Sequence, residues 1–260
     1  MGVVNVTPDS FSDGGKWLDP DAAIAHGHDL VAQGAGILDV GGESTRPGAA
    51  PVALDEELRR VVQVIEGLAA AGAQLSIDTM KLAVARAAVD AGATYVNDVT
   101  AFRSDPAMAS FVAEAGCDCC LMHMLGEPGT MQNDPRYEDV VDDVKAFLEE
   151  RAAFAVAEGV AESRIQVDPG IGFGKTVEHN VALLARLGEI VALGFPVVVG
   201  ASRKSFLGRL IEADDPARRE APTIAANVMA FESGAKVFRV HDVQATRDAL
   251  VVAATLRRNG

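Results

Sequence analysis

The sequence is poor in aromatic side chains and in positive charge. Of its 260 residues 5% are aromatic, and the formal net charge is −14. Proteins that bind single strands use aromatic stacking and a basic groove, and proteins that bind duplexes need a basic face. The composition therefore argues against a general nucleic-acid partner, although it leaves room for a local basic pocket.

Cysteine is also scarce. The chain has three cysteines, of which Cys119 and Cys120 are adjacent. This odd, low number cannot build a disulfide framework, and it indicates a reducing compartment, so we expect a cytoplasmic protein. Zinc binding by the segment CDCC together with His123 is one possibility, but burial of the cysteines in a strand is the interpretation that we favour.

Membrane-spanning and nucleotide-binding signals are missing as well. No run of about 18 apolar residues and no charged leader occurs, so we expect no membrane association. The segment DPGIGFGKT, Asp168 to Thr176, resembles a phosphate-binding loop, yet Pro169 occupies the place of the first required glycine. Proline has no N–H to offer a phosphate, so we interpret the segment as a tight turn after a strand.

What is present is a regular alternation of short apolar runs and helical segments. The predicted strands are residues 3–6, 37–41, 75–78, 94–98, 119–123, 165–168, 196–200 and 237–241. The predicted helices are residues 19–36, 54–72, 81–93, 106–116, 137–159, 179–194, 221–235 and 243–258. Several helical segments end at glycine, and the first begins with the capping pair Asp19-Pro20, as expected for helix ends.

This alternation predicts the fold class. Continuous apolar strands are typical of a parallel sheet that is covered on both faces. Eight strand–helix units in a chain of this length predict a single (β/α)8 TIM barrel, with residues 1–260 as one domain. A doubly wound open sheet is the alternative, but no G-x-G-x-x-G motif follows the first strand.

Polar residues recur where the predicted strands end, which is where a barrel places its chemistry. They are Asn5, Asp39, Asp78, Asn97, Asp98, Met122-His123, Asp168, Arg239 and His241. The carboxylates and amides suit a flat, amide-rich heterocycle. A second set of Arg46, Arg203, Lys204, Arg239 and His241 suggests an anionic ligand such as phosphate. The alternative is that these acids and bases pair with each other as structural salt bridges.

Two loops and a metal complete the expectations from the residues alone. The segments after the first two strands are rich in Gly, Pro, Ser and Asp, as in mobile loops that close over substrates. Asn5 and nearby acids offer oxygen ligands for Mg²⁺, which keeps waters and bridges pyrophosphates.

The ordered set NVTPDSFSDGG, DVGGESTRPGA, SIDT, NDV, LMHM, DPGIGFGKT, GASRKSFLG and RVHDV resembles the dihydropteroate synthase family, from Val3 to about Val243. The resemblance implies a transferase that joins 6-hydroxymethyl-7,8-dihydropterin diphosphate to 4-aminobenzoate and releases diphosphate. It also implies Mg²⁺, inhibition by sulfonamides and a homodimer. Family members commonly carry a short segment before the first strand, so we leave the N-terminal boundary open.

The resemblance also implies residue roles. Asp78, Asp168, Lys204 and Arg239 match catalytic positions, and together with Asn97 and Met122 they match the pterin pocket. Asn5, Arg239 and His241 match the diphosphate end, with Asn5 at the metal. Thr45, Pro47, Phe173 and Ser205 match the aminobenzoate side, and Phe11 and Asp13 match a closing lid.

The implied mechanism has no covalent enzyme intermediate. The bond from the pterin methylene to the diphosphate oxygen breaks, Asp78 and Asp168 stabilise the cation, and the aromatic amine attacks. Three alternatives remain: a pterin-binding methyltransferase domain, a barrel with a Schiff-base lysine at Lys175 or Lys204, and a non-catalytic pterin binder. The segments STRPG and SRKS favour the synthase over the methyltransferase.

Overall fold

The computed structural model describes residues 1–7, 19–46 and 48–259. Three predicted site residues, Phe11, Asp13 and Pro47, lie outside the described residues. Eight strands occur in the described part: β1 (Gly2–Asn5), β2 (Ile37–Gly41), β3 (Gln74–Asp78), β4 (Tyr95–Asp98), β5 (Asp118–Met122), β6 (Ile165–Asp168), β7 (Val198–Val199) and β8 (Val237–Phe238). All eight predicted strands are confirmed, with small shifts at their ends.

Helices follow the strands in sequence. The described residues form α1 (Pro20–Ala32), α2 (Leu54–Leu68), α3 (Leu82–Asp90), α4 (Ala107–Ala115), α5 (Val140–Ala157), α6 (Val177–Ala185), α7 (Leu187–Val191), α8 (Ser205–Leu210), α9 (Glu220–Glu232) and α10 (Val243–Asn259). Two 3-10 turns, Glu162–Arg164 and Pro216–Arg219, precede β6 and α9.

The strands close into a ring. β1 to β6 pair in sequence order as one parallel sheet, and β7 pairs with β8. Single parallel bridges join Val167 to Val197 and Gly2 to Val240, and they connect β6 to β7 and β8 back to β1. The predicted (β/α)8 barrel is therefore confirmed, and the open doubly wound sheet is wrong.

Hydrogen bonds continue beyond the end of β8 on both of its sides. After Phe238, the Arg239 N–H donates to the Val199 carbonyl at 3.0 Å, whereas the Val240 N–H donates to the Met1 carbonyl at 3.0 Å. Two consecutive residues after β8 thus bond to β7 and to the residue before β1, and these bonds help to complete the barrel.

Local sequence signals explain how the helices begin and end. The Asp19 carboxylate accepts from the Asp21 N–H at 3.2 Å, and Pro20 opens α1, as predicted for a cap followed by proline. Gly116 ends α4 in the left-handed conformation at φ 64°, which glycine adopts without strain.

Two helical predictions need correction. The segment 179–194 was expected as one helix, but Arg186 leaves helical geometry at φ −107° and ψ 21°, so α6 and α7 are separate. The short α8 was not predicted either. It lies directly after the SRK segment, and its first residue is Ser205.

The apolar strand runs and the inner helix faces form the core. Val4, Leu38, Ile77, Val96 and Leu121 are fully buried. All three cysteines are buried and free, and burial raises the pKa of the Cys119 and Cys120 thiols. No group of metal-ligating side chains is found among the described residues, so the zinc alternative lacks support there. Within the same residues, no helix has the length and apolarity that a bilayer crossing requires.

Candidate active site

A buried carboxylate on β2 organises one half of the barrel rim. Asp39 is fully buried, and it accepts hydrogen bonds from Ser76 Oγ at 2.5 Å, Asn97 Nδ2 at 3.0 Å and Arg239 Nε at 2.6 Å. The same guanidinium also donates from Nη2 to Asp78 Oδ2 at 2.7 Å. The structure thus brings together the predicted residues Asp78, Asn97 and Arg239.

Asp39 was missed as a functional residue. It was recognised only as a polar position on the second strand, because a carboxylate inside the run ILDVG has no partner that the local sequence reveals. Its partners come from β3, β4 and the end of β8, and one of them lies 200 positions away in the chain. Only closure of the barrel brings them into contact.

This arrangement perturbs the charges. Burial raises the pKa of Asp78 to about 7; the Arg239 guanidinium opposes the shift, and the Asp39 carboxylate adds to it. Burial disfavours the charge on Arg239, but the carboxylates of Asp39 and Asp78 raise its pKa above the ordinary value. In the ligand-free protein Asp78 therefore titrates near neutrality while Arg239 stays charged.

The second half of the rim is built by the ends of β6 and β7. Asp168 accepts from the Gly170 N–H at 2.7 Å, and the Lys204 ammonium donates to the Ile171 carbonyl. The same ammonium lies 4.4 Å from the centroid of the Phe173 ring. Burial lowers the pKa of Lys204 to about 8, with Asp168 opposing the shift, and burial raises the pKa of Asp168.

The two halves face each other across Gly200. A Cβ built at this glycine would lie 3.7 Å from Asp168 Oδ2, 4.0 Å from Lys204 Nζ and 4.0 Å from Arg239 Cβ. The missing side chain leaves space beside these groups. The predicted residues Asp168, Lys204 and Arg239 therefore converge on one place.

The buried side chain of Lys175 holds the turn DPGIGFGKT in place. Lys175 is 3% exposed; its Nζ lies 2.9 Å from His123 Nδ1 and donates to the Phe173 carbonyl at 3.0 Å. Burial, followed by the charge of Lys175, lowers the pKa of His123 to about 2, so the neutral imidazole accepts the bond. Burial also lowers the pKa of Lys175 well below its ordinary value. The lysine nitrogen and the imidazole are both occupied within the protein, which agrees with the interpretation that this segment is no P-loop.

Gly170 explains why the turn needs glycine. Its φ is +66°, and a Cβ would stand 1.9 Å from the His123 carbonyl oxygen. No other residue fits this close backbone approach without movement. The glycine therefore holds the loop against the end of β5 and aims Asp168 into the rim.

A third group lies between β7 and β8. Ser202 Oγ is 2.9 Å from His241 Nδ1, and burial together with Arg239, Arg203 and Arg46 lowers the pKa of His241 to about 3. A neutral imidazole whose Nδ1 faces Ser202 can present its Nε2 to a ligand.

Two members of the predicted rim have structural partners. The Arg203 guanidinium donates to Asp242 at 3.0 and 2.6 Å, so the salt-bridge alternative holds for this residue. The Asp98 carboxylate accepts from the N–H and hydroxyl of Thr100 at 2.7 Å and from the Phe102 N–H at 2.9 Å. It shapes the turn after β4 instead of facing a pocket.

The remaining predicted residues in the described part lie at strand ends and in the segments that follow them. Asn5 ends β1 and is half-buried, and Met122 is buried with Val99 and Met124. Thr45 is half-buried in the loop after β2, and Ser205 is exposed at the start of α8.

The fold and the rim define a pterin-binding class of enzyme. The sequence model of the family described as "Pterin binding enzyme" matches residues 1–241. The dihydropteroate synthase of Mycobacterium leprae is 51% identical over 258 residues, which cover 97% of this chain and 91% of that protein.

Solved structures agree in fold and sequence. The Yersinia pestis dihydropteroate synthase with a sulfonamide drug complex has a TM-score of 0.95 at 43% identity, covering 99% of this chain and 94% of that one. The Xanthomonas albilineans enzyme in complex with 7,8-dihydropteroate has a TM-score of 0.89 at 46% identity, covering 99% and 92%. This chain belongs to the dihydropteroate synthase family.

Proposed function

We propose that this protein is a transferase that condenses 6-hydroxymethyl-7,8-dihydropterin diphosphate with 4-aminobenzoate to give 7,8-dihydropteroate and diphosphate. The observation that carries the proposal is the convergence of Asp168, Lys204 and the Arg239–Asp78 pair on one space at the barrel rim. The relatives reported above are named dihydropteroate synthases, and they support this reaction over the methyltransferase alternative.

The pterin would bind among the strand ends. Its amide-rich edge needs acceptors and donors, which Asp78, Asn97 and Asp168 supply. Met122 supplies an apolar wall from a buried cluster. Lys204 reaches over the turn after β6, with its ammonium on the Ile171 carbonyl and beside Phe173. These roles are proposals supported by burial and proximity.

The chemical step breaks the bond between the pterin methylene carbon and the diphosphate oxygen, and the electron pair leaves with diphosphate. Positive charge then develops on the pterin, beside the buried carboxylates of Asp78 and Asp168. Fixed charges in a site shielded from water stabilise such a transition state strongly. The amine of aminobenzoate attacks the carbon and loses a proton. Serine and lysine nucleophiles have no role in this scheme.

The leaving diphosphate would be held by Arg239, the neutral His241 and Asn5. His241 presents one ring nitrogen because the other faces Ser202 at 2.9 Å. The described residues hold no cluster of three or more acidic, histidine or cysteine ligands, so an all-protein metal cage is not found there. Mg²⁺ needs few protein ligands when it arrives with phosphates, and the Asn5 amide oxygen is a suitable hard donor. Bound there, Mg²⁺ would neutralise charge on the leaving group.

The aminobenzoate would lie at the outer side of the pocket, near Thr45, Phe173 and Ser205. Pro47 and the lid residues Phe11 and Asp13 lie outside the described residues, so their roles rest on the resemblance alone. The Yersinia pestis relative forms a sulfonamide complex, and we propose sulfonamides as inhibitors here.

We further propose a cytoplasmic homodimer. Helices α9 and α10 expose large apolar side chains, namely Met229 at 64%, Val251 at 54%, Val252 at 59% and Leu256 at 69%. Large exposed apolar side chains on two neighbouring helices are typical of an interface. The three free, buried cysteines suit a reducing compartment.

The direct test is an assay of the purified protein with dihydropterin diphosphate, 4-aminobenzoate and Mg²⁺. We expect equal amounts of 7,8-dihydropteroate and diphosphate, and much less of both when Mg²⁺ is removed by a chelator. Absence of product at high enzyme concentration would reject the proposed function.

A further inference from the structure

A partly buried ionic cluster lies at the turn between β3 and α3. The Lys81 ammonium contacts the carboxylates of Glu43 and Glu57, and it donates to the Val52 carbonyl at 3.0 Å. Thr79 Oγ1 donates to Glu57 Oε1 at 2.7 Å. We call these residues the Lys81 cluster.

The cluster joins both ends of one loop. The β2–α2 loop, residues 42–53, begins beside Glu43 and ends beside Val52, and Lys81 holds one atom from each. Lys81 therefore links the two ends of the β2–α2 loop, and we call this linkage the clasp. No sequence pattern predicts this contact, because Lys81 belongs to a different strand–helix unit.

The β2–α2 loop extends along the active-site rim. Arg46 lies close enough to His241 that its charge lowers the pKa of that imidazole. The Gly48 N–H donates to the Pro128 carbonyl at 3.3 Å, which joins the loop to the segment after β5. Thr45 directly precedes Arg46 in this loop.

Glu57 fixes the position of the Lys81 ammonium. The residue is fully buried on α2, and burial raises the pKa of its carboxyl although Lys81 and Thr79 oppose the shift. Burial opposes the charge of Lys81 as well, yet Glu43 and Glu57 raise its pKa above the ordinary value. Burying a carboxylate without its ionic partner is strongly unfavourable. Glu57 therefore keeps the Lys81 ammonium in place, and Lys81 in turn keeps both ends of the loop in place.

We propose that Lys81 is a positioning residue for 4-aminobenzoate, acting through the β2–α2 loop and not by contact with either substrate. The inference rests on the proposed function, in which Thr45 of this loop contacts aminobenzoate. The pterin pocket is built by the strand ends. The Lys81 cluster acts on it through the charge of Glu57, which adds to the raised pKa of Asp78, so we expect a smaller effect there than on the loop.

The experiment compares steady-state kinetics for both substrates in Lys81→Met and wild-type enzyme. Loss of an anchor that acts only on one substrate's binding raises the KM for that substrate. We expect the KM for aminobenzoate to rise about tenfold, and the KM for dihydropterin diphosphate to change less than about twofold. In this variant Arg60 still donates to the Gly42 carbonyl at 2.8 Å, which keeps the start of the loop on the barrel.

Lys145→Met is the matched control. Both lysine side chains are 29% exposed, and Lys145 also lies near two carboxylates, Asp142 at 3.5 Å and Glu189 at 3.6 Å. It lies on α5, away from the loop, so both KM values should stay at wild-type levels.

Two further variants separate positioning from folding. Glu43→Gln removes the loop's own carboxylate but leaves the buried Glu57–Lys81 pair, so it should raise the aminobenzoate KM without loss of thermal stability. Lys81→Arg keeps the charge and should restore most of the affinity.

Equal changes in both KM values, or lower stability with unchanged KM values in Lys81→Met and Glu43→Gln, would overturn the inference. An inactive wild-type enzyme would instead reject the proposed function, so the two failures are distinguishable.

Discussion

Arg239 lies between the carboxylates of Asp39 and Asp78, and both acid–base contacts act on the pKa of Asp78 in addition to its burial. The guanidinium bonds to Asp39 at 2.6 Å and to Asp78 at 2.7 Å. Asp39 has no expected contact with substrate, yet its charge raises the pKa of Asp78. A side chain behind the pocket thus tunes a side chain that faces it.

The pH profile tests this tuning. The pKa of Asp78 is about 7 in the free protein, and in the proposed mechanism the ionised carboxylate is the form that stabilises the cation. The value of kcat/KM should therefore fall on the acid side of pH 7, since this ratio reports groups of the free enzyme. In Asp39→Asn a like charge is lost and Arg239 is freed for Asp78; both effects lower the pKa, so the acid limb should move to lower pH.

The comparison between variant and wild type isolates the enzyme group, because the substrates ionise equally in both assays. Asp55→Asn is the control, since Asp55 is exposed on α2, and its acid limb should match wild type. An unmoved limb in Asp39→Asn would show that Asp78 does not control it.

Strands and loops show how much of the site the sequence predicts. The sequence correctly predicted that Asp78, Asn97, Asp168 and Arg239 lie on one rim. This follows because the C-terminal ends of all strands of a parallel barrel meet at the same face. Partnerships were not predictable: Arg203 pairs with Asp242, Asp98 caps a turn, and Asp39 is a hub. Each of these depends on which neighbour the closed barrel or the following turn presents.

The turn after β6 has its own test. In Lys175→Met, the buried His123 Nδ1 and the Phe173 carbonyl lose a donor, and an unsatisfied buried group costs about 1–3 kcal/mol. Urea unfolding should show a loss of about that size, while the KM for dihydropterin diphosphate changes less than about threefold.

Lys236→Met, at an exposed position before β8, is the control for this experiment and should unfold like wild type. A large rise in the pterin diphosphate KM with unchanged stability would mean that Lys175 binds phosphate after all.

The barrel as a whole is closed by single bridges at two places, between β6 and β7 and between β8 and β1. Beyond these seams, the exposed apolar face of α9 and α10 is where a second copy would pack. Introducing charge there should separate the subunits, since a desolvated unpaired charge is costly at an interface.

Light scattering coupled to gel filtration tests the dimer. The wild-type protein should elute as a dimer, and the double variant Met229→Glu, Leu256→Glu as a monomer. Val156→Glu, an exposed apolar position at 43% on α5, should remain dimeric. A monomeric wild-type protein, or a double variant that stays dimeric, would contradict the assigned interface.

In the proposed mechanism, carboxylates at the rim stabilise a pterin cation during transfer to aminobenzoate. The most direct measurement is the turnover of Asp78→Asn beside wild type, with thermal unfolding as the check on folding. Asparagine keeps the shape of the side chain and one acceptor oxygen, but it replaces the other oxygen with an NH2 donor and removes the charge. We predict an intact fold and a kcat lower by about a hundredfold or more. A folded Asp78→Asn enzyme with near-wild-type kcat would contradict the account.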